Sequence, residues 1–149
     1  MGSFSQVIRE YLTVLEQLRQ SGDLSESTCY RRKLELELAG QTLGPLEVEL
    51  IRPSLIQAHL DGLSDFPGKQ ATAKEALKAL EKWALVRDKI PYPITTGTQI
   101  LGTDGGHEPW TDAEIDTAIE HARPDLARVV ALAINTGQRG SDIVKMRWS

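Results

Sequence analysis

The side chain best suited to hold an anion is an arginine set in a turn, and the chain carries one at Arg139. Its neighbourhood reads Thr136-Gly137-Gln138-Arg139-Gly140-Ser141-Asp142-Ile143-Val144-Lys145-Met146-Arg147-Trp148-Ser149. Gly137 is a natural left-handed stop for the apolar run before it. Ser141 and Asp142 suit the first turn of a new helix, where unpaired N–H groups want acceptors. Ile143, Val144 and Met146 would give that helix an inward side. A cation near the positive end of a helix is disfavoured by electrostatics alone, but the two together make a site for an anion, and phosphate is the natural guest. The alternative is an Arg139–Asp142 ion pair. At i,i+3, with the basic residue first, such a pair contributes about 0.2–0.5 kcal/mol or less.

Two further basic groups have spacing that could matter. Arg31-Arg32-Lys33 is the densest basic run, and Lys74, Lys78 and Lys82 recur every four residues, which puts them in a row on one helix face. Each reads either as a solvated face or as point charges that meet phosphates and release counterions. Other candidates are weaker. His59 lies beside an apolar stripe, where a packed or surface histidine is the simpler reading. His107-Glu108 lacks the second histidine of a zinc helix. Gly102-x-x-Gly105-Gly106 lacks the lysine and hydroxyl of a phosphate loop. Asp112, Glu114 and Asp116 suit a helix N-terminus better than a metal. No metal site or cofactor is expected.

The elements that must position these residues are helices. Phe4, Val7, Ile8, Tyr11, Leu12, Leu15 and Leu18 recur at helical spacing up to Gly22. A second helix is expected from Ser25 or Ser27 to Gly40, with Thr28, Leu34 and Leu38 inward and Glu35 and Glu37 in water. Leu46 to Ile51 alternates weakly beside Pro45 and reads as extended linker. Pro53 suits the first turn of a third helix with Leu55, Ile56, Leu60 and Leu63 inward. Phe66-Pro67-Gly68 reads as a turn. The strongest pattern follows, from Lys69 to Arg87, with Ala73, Ala76, Leu77, Leu80, Trp83 and Ala84 in one stripe.

Helix signals vanish between Pro91 and Glu108, where prolines, glycines and threonines predict a linker. Fully extended, it could span up to ~60 Å. Thr111-Asp112-Ala113-Glu114 is a capping box, with Trp110 placed to staple onto Ile115. Ile115, Ala118, Ile119 and Ala122 follow as an inward stripe. The helix from Pro124 is apolar nearly all round, through Leu126, Val129, Val130, Leu132 and Ile134, and wants protein on every side.

Composition sets outer bounds. The 149 residues are 26% charged and 40% hydrophobic, ordinary for a folded chain rather than a disordered one. No apolar run reaches the ~18 residues of a membrane span, and Met1-Gly2-Ser3-Phe4-Ser5 shows no secretory signal. The single cysteine, Cys29, excludes an internal disulfide and a cysteine zinc site; it suits core packing and a cytoplasmic setting. A net charge of −4 argues against coating nucleic acid by bulk electrostatics, so DNA binding would need a local basic face.

The pattern T-G-x-R-x-S-[ED]-[IV]-x-x-[LM]-x-W around Arg139 resembles the first catalytic-arginine motif of tyrosine recombinases, the phage-integrase family. The likeness extends to Ile51-Arg52-Pro53 through Leu60 and to Leu77-x-x-Leu80-x-x-Trp83-Ala84, which look like the last two helices of that family's core-binding domain. Trp110-Thr111-x-x-Glu114-Ile115 resembles the opening helix of its catalytic domain. The resemblance implies an all-α fold: a DNA-binding helical bundle over residues 1–90, a linker over 91–108, and the incomplete start of a catalytic domain over 109–149.

By the same resemblance Arg139 would hold a non-bridging oxygen of the scissile phosphate. Asp142 would take the place of the usual supporting glutamate. Arg31, Arg32, Lys33, Lys74, Lys78 and Lys82, on the second and fourth helices, would face double-stranded DNA. The family's later lysine, histidine–x–x–arginine pair and tyrosine nucleophile have no counterpart before Ser149. Tyr11, Tyr30 and Tyr92 all precede Arg139. The expectation is therefore a DNA-binding fragment of a phage-type integrase with no strand-transfer activity of its own. The alternative is a non-enzymatic module that binds a partner or itself through the apolar helix at 124–136.

Overall fold

The computed structural model describes residues 2–100 and 108–146. Seven helices account for its regular structure: α1 (Phe4–Ser21), α2 (Glu26–Leu43), α3 (Pro53–Asp61), α4 (Pro67–Leu85), α5 (Asp112–His121), α6 (Pro124–Thr136) and α7 (Gly140–Ile143). The described residues form no strand beyond one isolated bridge, Ser3 with Glu47. The chain divides into two compact units, Met1–Asp104 and Gly105–Ser149.

The first unit is a four-helix assembly in which α2 packs against both α1 and α4. Phe4, Leu36, Val48, Ile51, Ile56, Leu60, Leu80 and Ala84 are completely buried in one core. The α1 and α4 stripes are the ones their spacing predicts, with Trp83 partly buried against that core. Tyr11 and Trp83 meet with ring centroids 5.4 Å apart, a tilted pair. Helix ends are closed locally. Gly22 adopts φ 80° and bonds back to Arg19, and the Ser25 side chain accepts from Thr28 N. At the start of α1, Phe4 N donates to Leu46 O at 2.8 Å and Ser5 N to Gly44 O at 3.0 Å, so the turn after α2 satisfies two otherwise orphaned donors.

Several local expectations are corrected. In α2 the buried residues are Cys29, Leu36, Ala39 and Leu43, while Leu34 and Leu38 are 45% and 36% exposed. The Leu34-Glu35-Leu36-Glu37-Leu38 alternation leaves the helical phase undecided, and packing chooses the 7-3-4 spacing. Glu35 is half-buried and accepts from Thr72 Oγ1 at 3.3 Å. The helix also runs past Gly40 to Leu43, because Gly40 lies against Ile8 and Leu43 reaches the core. Val48–Leu50 is a 3-10 turn, not an extended connection. It places Val48 and Ile51, three residues apart, on one side and fully buried. Pro67 begins α4 rather than sitting in a turn before it.

The segment read as a linker is bound to the first unit over residues 91–100. Ile94, Thr95 and Thr98 are buried. Glu81 Oε2 accepts from the backbone N–H of both Ile94 and Thr95. The Gln57 amide takes both sides of Gln99, accepting from its N at 2.7 Å and donating to its O at 3.0 Å. Tyr92 donates its hydroxyl to Glu49 O. The remainder, 101–107, lies outside the described residues, and with it His107 and the glycines at 102, 105 and 106.

In the second unit the capping box forms as the sequence predicts. Thr111 Oγ1 accepts from Glu114 N at 3.3 Å, and Glu114 Oε2 accepts from Thr111 N at 2.8 Å. These bonds from Thr111 hold the Glu114 carboxyl below its usual range. Trp110, 62% exposed, stands largely in solvent rather than closing the helix start. Neither α5 nor α6 has a fully buried residue. Leu126, Leu132 and Ile134 are 50%, 37% and 49% exposed.

Candidate nucleic-acid interface

Arg139 sits between α6 and α7. Gly137, at φ 63°, ends α6 and bonds to Ala133 O. Arg139 then takes an extended conformation as the cap of α7, its carbonyl accepting from Asp142 N at 2.8 Å and Ile143 N at 3.1 Å. Its side chain is exposed and makes no ion pair with Asp142. The guanidinium is therefore uncommitted among the described residues. The partner helix is shorter than expected, four residues, so its dipole adds little and the cation itself is what an anion would meet. Of the three residues expected to face inward, only Ile143 does. Val144 is 72% and Met146 46% exposed. Arg147, Trp148 and Ser149, which carry the end of the motif, lie outside the described residues.

The basic residues expected to contact DNA differ in how far the fold engages them. Arg31 and Arg32 line a cleft of about 100 Å³ together with Thr72 and Glu75 of α4. Lys33 projects to the other side of α2, beside α1, with its ammonium 3.8 Å from Glu37. Consecutive residues turn by about 100° on a helix, so a run of three must split between faces. Arg32 is half-buried with its guanidinium near the Tyr11 hydroxyl; burial pushes that phenol upward and the guanidinium opposes the shift. Lys74 donates to Thr98 O at 2.5 Å and so ties α4 to the 91–100 segment. Lys78 and Lys82 are exposed and make no ion pair among the described residues.

Of the six expected contacts, Arg31, Lys78 and Lys82 remain open to a polyanion, on two helices packed against each other. Further cations lie outside the expected set, among them Arg52 over Tyr92, Lys69 over Phe66 and Arg87. Arg87 lies over the Trp83 ring, 5.2 Å from its centroid, and donates to Trp83 O. The i,i+4 spacing of Trp83 and Arg87 was the available signal.

No group of three or more His, Cys, Asp or Glu among the described residues could hold a metal ion. No described helix is long and apolar enough to cross a membrane. Comparison with known protein families, curated proteins and solved structures finds no match to this chain.

Proposed function

We propose that the chain is a DNA-binding part of a tyrosine-recombinase-type protein, with Arg139 as the guanidinium meant for a backbone phosphate. The observation that carries this reading is an exposed arginine, unpaired among the described residues, in the Thr136-Gly137-Gln138-Arg139-Gly140-Ser141-Asp142-Ile143 turn. In such chemistry negative charge builds on phosphorus, and a cation that cannot deprotonate stabilises it. Arg31, Lys78 and Lys82 supply the phosphate contacts of the helical bundle. Lys33, Lys74 and Arg32 have intramolecular partners and contribute less. The single cysteine, Cys29, suits a cytoplasmic setting for such a protein.

Binding of a labelled duplex, followed by fluorescence anisotropy across a salt series, tests this. Affinity is expected to fall as salt rises. The log–log slope should shrink by about 1 in each of Arg31→Ala, Lys78→Ala and Lys82→Ala, since each removes one cation facing a phosphate. Binding that ignores both salt and these substitutions sinks the proposal. The 149-residue polypeptide holds no tyrosine after Arg139 and is expected not to relax a supercoiled plasmid.

A second reading rests on α6. The half-exposure of Leu126, Leu132 and Ile134 on one helix favours self-association. It predicts concentration-dependent oligomers by sedimentation velocity that Leu126→Asp or Ile134→Asp disperses.

A further inference from the structure

A broad groove in the first unit, about 820 Å³, runs between α1 and α2. It is on the side of α2 away from the Arg31 cleft. Leu12, Leu15 and Cys29 line its apolar part, and Tyr30 stands at its edge with 63% of its surface in water. Tyr30 begins a row. Leu34 and Leu38 follow at intervals of four and are 45% and 36% exposed, so three large apolar side chains share one strip of α2. At a rise of 1.5 Å per residue the strip is about 12 Å long, roughly two turns of a docked helix. Leu38 also lines the apolar groove between α2 and α3, with Leu55 and Leu63. The strip therefore connects two concave surfaces rather than being scattered exposure.

Charge indicates what would cover it. The α1/α2 groove carries Glu16, Glu26 and Glu37 against Arg19 and Lys33. Both cations are engaged from within: Arg19 reaches Glu16 at 2.7 Å, and Lys33 reaches Glu37 at 3.8 Å. The bonds from Arg19 and Gln20 hold the Glu16 carboxyl down at about 2, so it stays ionised. Glu26 is exposed and has no ion-pair partner among the described residues. The unmet charge is negative.

The geometry points to this surface as a docking site for an amphipathic helix of another protein, with an apolar stripe laid along Tyr30, Leu34 and Leu38 and a basic flank turned toward Glu26. Such a helix places anchors at i, i+3, i+4 and i+7, which matches a strip of this length. Docking there leaves the Arg31 cleft uncovered.

The test is titration of the full ¹⁵N-labelled chain with three 18-residue peptides. The first is a helix-forming peptide with a leucine stripe and lysine flank. The second has the same composition scrambled to remove the stripe. The third carries glutamate in place of lysine. The expected result is saturable amide shifts centred on 12–20 and 26–38 with the first peptide alone. The exposed-site variant Tyr30→Ser/Leu34→Ser should weaken binding ten-fold or more, and so should Glu26→Lys. Equal binding of the scrambled or glutamate peptide, shifts centred elsewhere, or indifference to both variants would overturn the assignment.

Discussion

Arg139 is a side chain left unengaged among the described residues. Exposed and without an ion pair among the described residues, it contributes little to folding, and Arg139→Ala is expected to change unfolding free energy by no more than about 0.5 kcal/mol in urea titration. A large loss would mean that the guanidinium braces the turn. His59 is the opposite case. Its Nδ1 lies 3.3 Å from Thr42 Oγ1, its Nε2 is buried without a partner among the described residues, and burial holds it below its ordinary 6.5. Leu38, Leu43, Leu55 and Leu63 surround the groove it lines, which holds no other ionisable side chain among the described residues. On its own helix, the Asp61 carboxylate is engaged by Gln57. The folded state therefore favours neutral imidazole, and the unfolded chain takes up the proton first. Stability is fully present above about pH 6.5 and falls as pH drops toward the lower folded value. Thermal melts between about pH 7 and 5 should show this decline, and His59→Gln should lessen it.

Among the elements, the 91–100 segment departs most from expectation. Proline, glycine and threonine spacing correctly removes it from helix but says nothing of attachment, because what holds it includes Gln57, Lys74 and Glu81 of α3 and α4. Glu81 bonds two successive amides and Gln57 brackets one residue. Bonds to a charged acceptor contribute about 1.5–3 kcal/mol. Glu81→Ala is thus expected to speed hydrogen exchange at Ile94 and Thr95 roughly ten-fold or more while the α1 amides stay protected. The capping box is the contrasting element, wholly local and legible from four residues. Thr111→Ala should cost α5 about 1 kcal/mol, read as lost helicity by NMR secondary shifts over 112–121.

For the molecule as a whole, the first unit carries its stability in a single core to which every one of α1–α4 contributes. Phe4 and Leu60, far apart in the sequence, are both fully buried there. Phe4→Ala should cost about 3–5 kcal/mol and Leu60→Ala about 2–5 kcal/mol by chemical denaturation. Either loss is a large share of what a domain of this size holds. The net charge of −4 remains an obstacle to any polyanion, so the proposed DNA contact must work through the few cations without intramolecular partners and be steeply salt-dependent.

The sequence by itself determined the all-helical character, the stripes of α1, α3 and α4, the stop at Gly137 and the cap at Thr111. Each rests on interactions within a few residues, where spacing and residue type suffice. Only the tertiary structure decided which leucines of α2 are buried and that Lys74 is bound to the Thr98 carbonyl. It also decided that the residues after Ile90 belong to the bundle. Those outcomes depend on partners far away in the chain, and no local pattern encodes which neighbour will arrive.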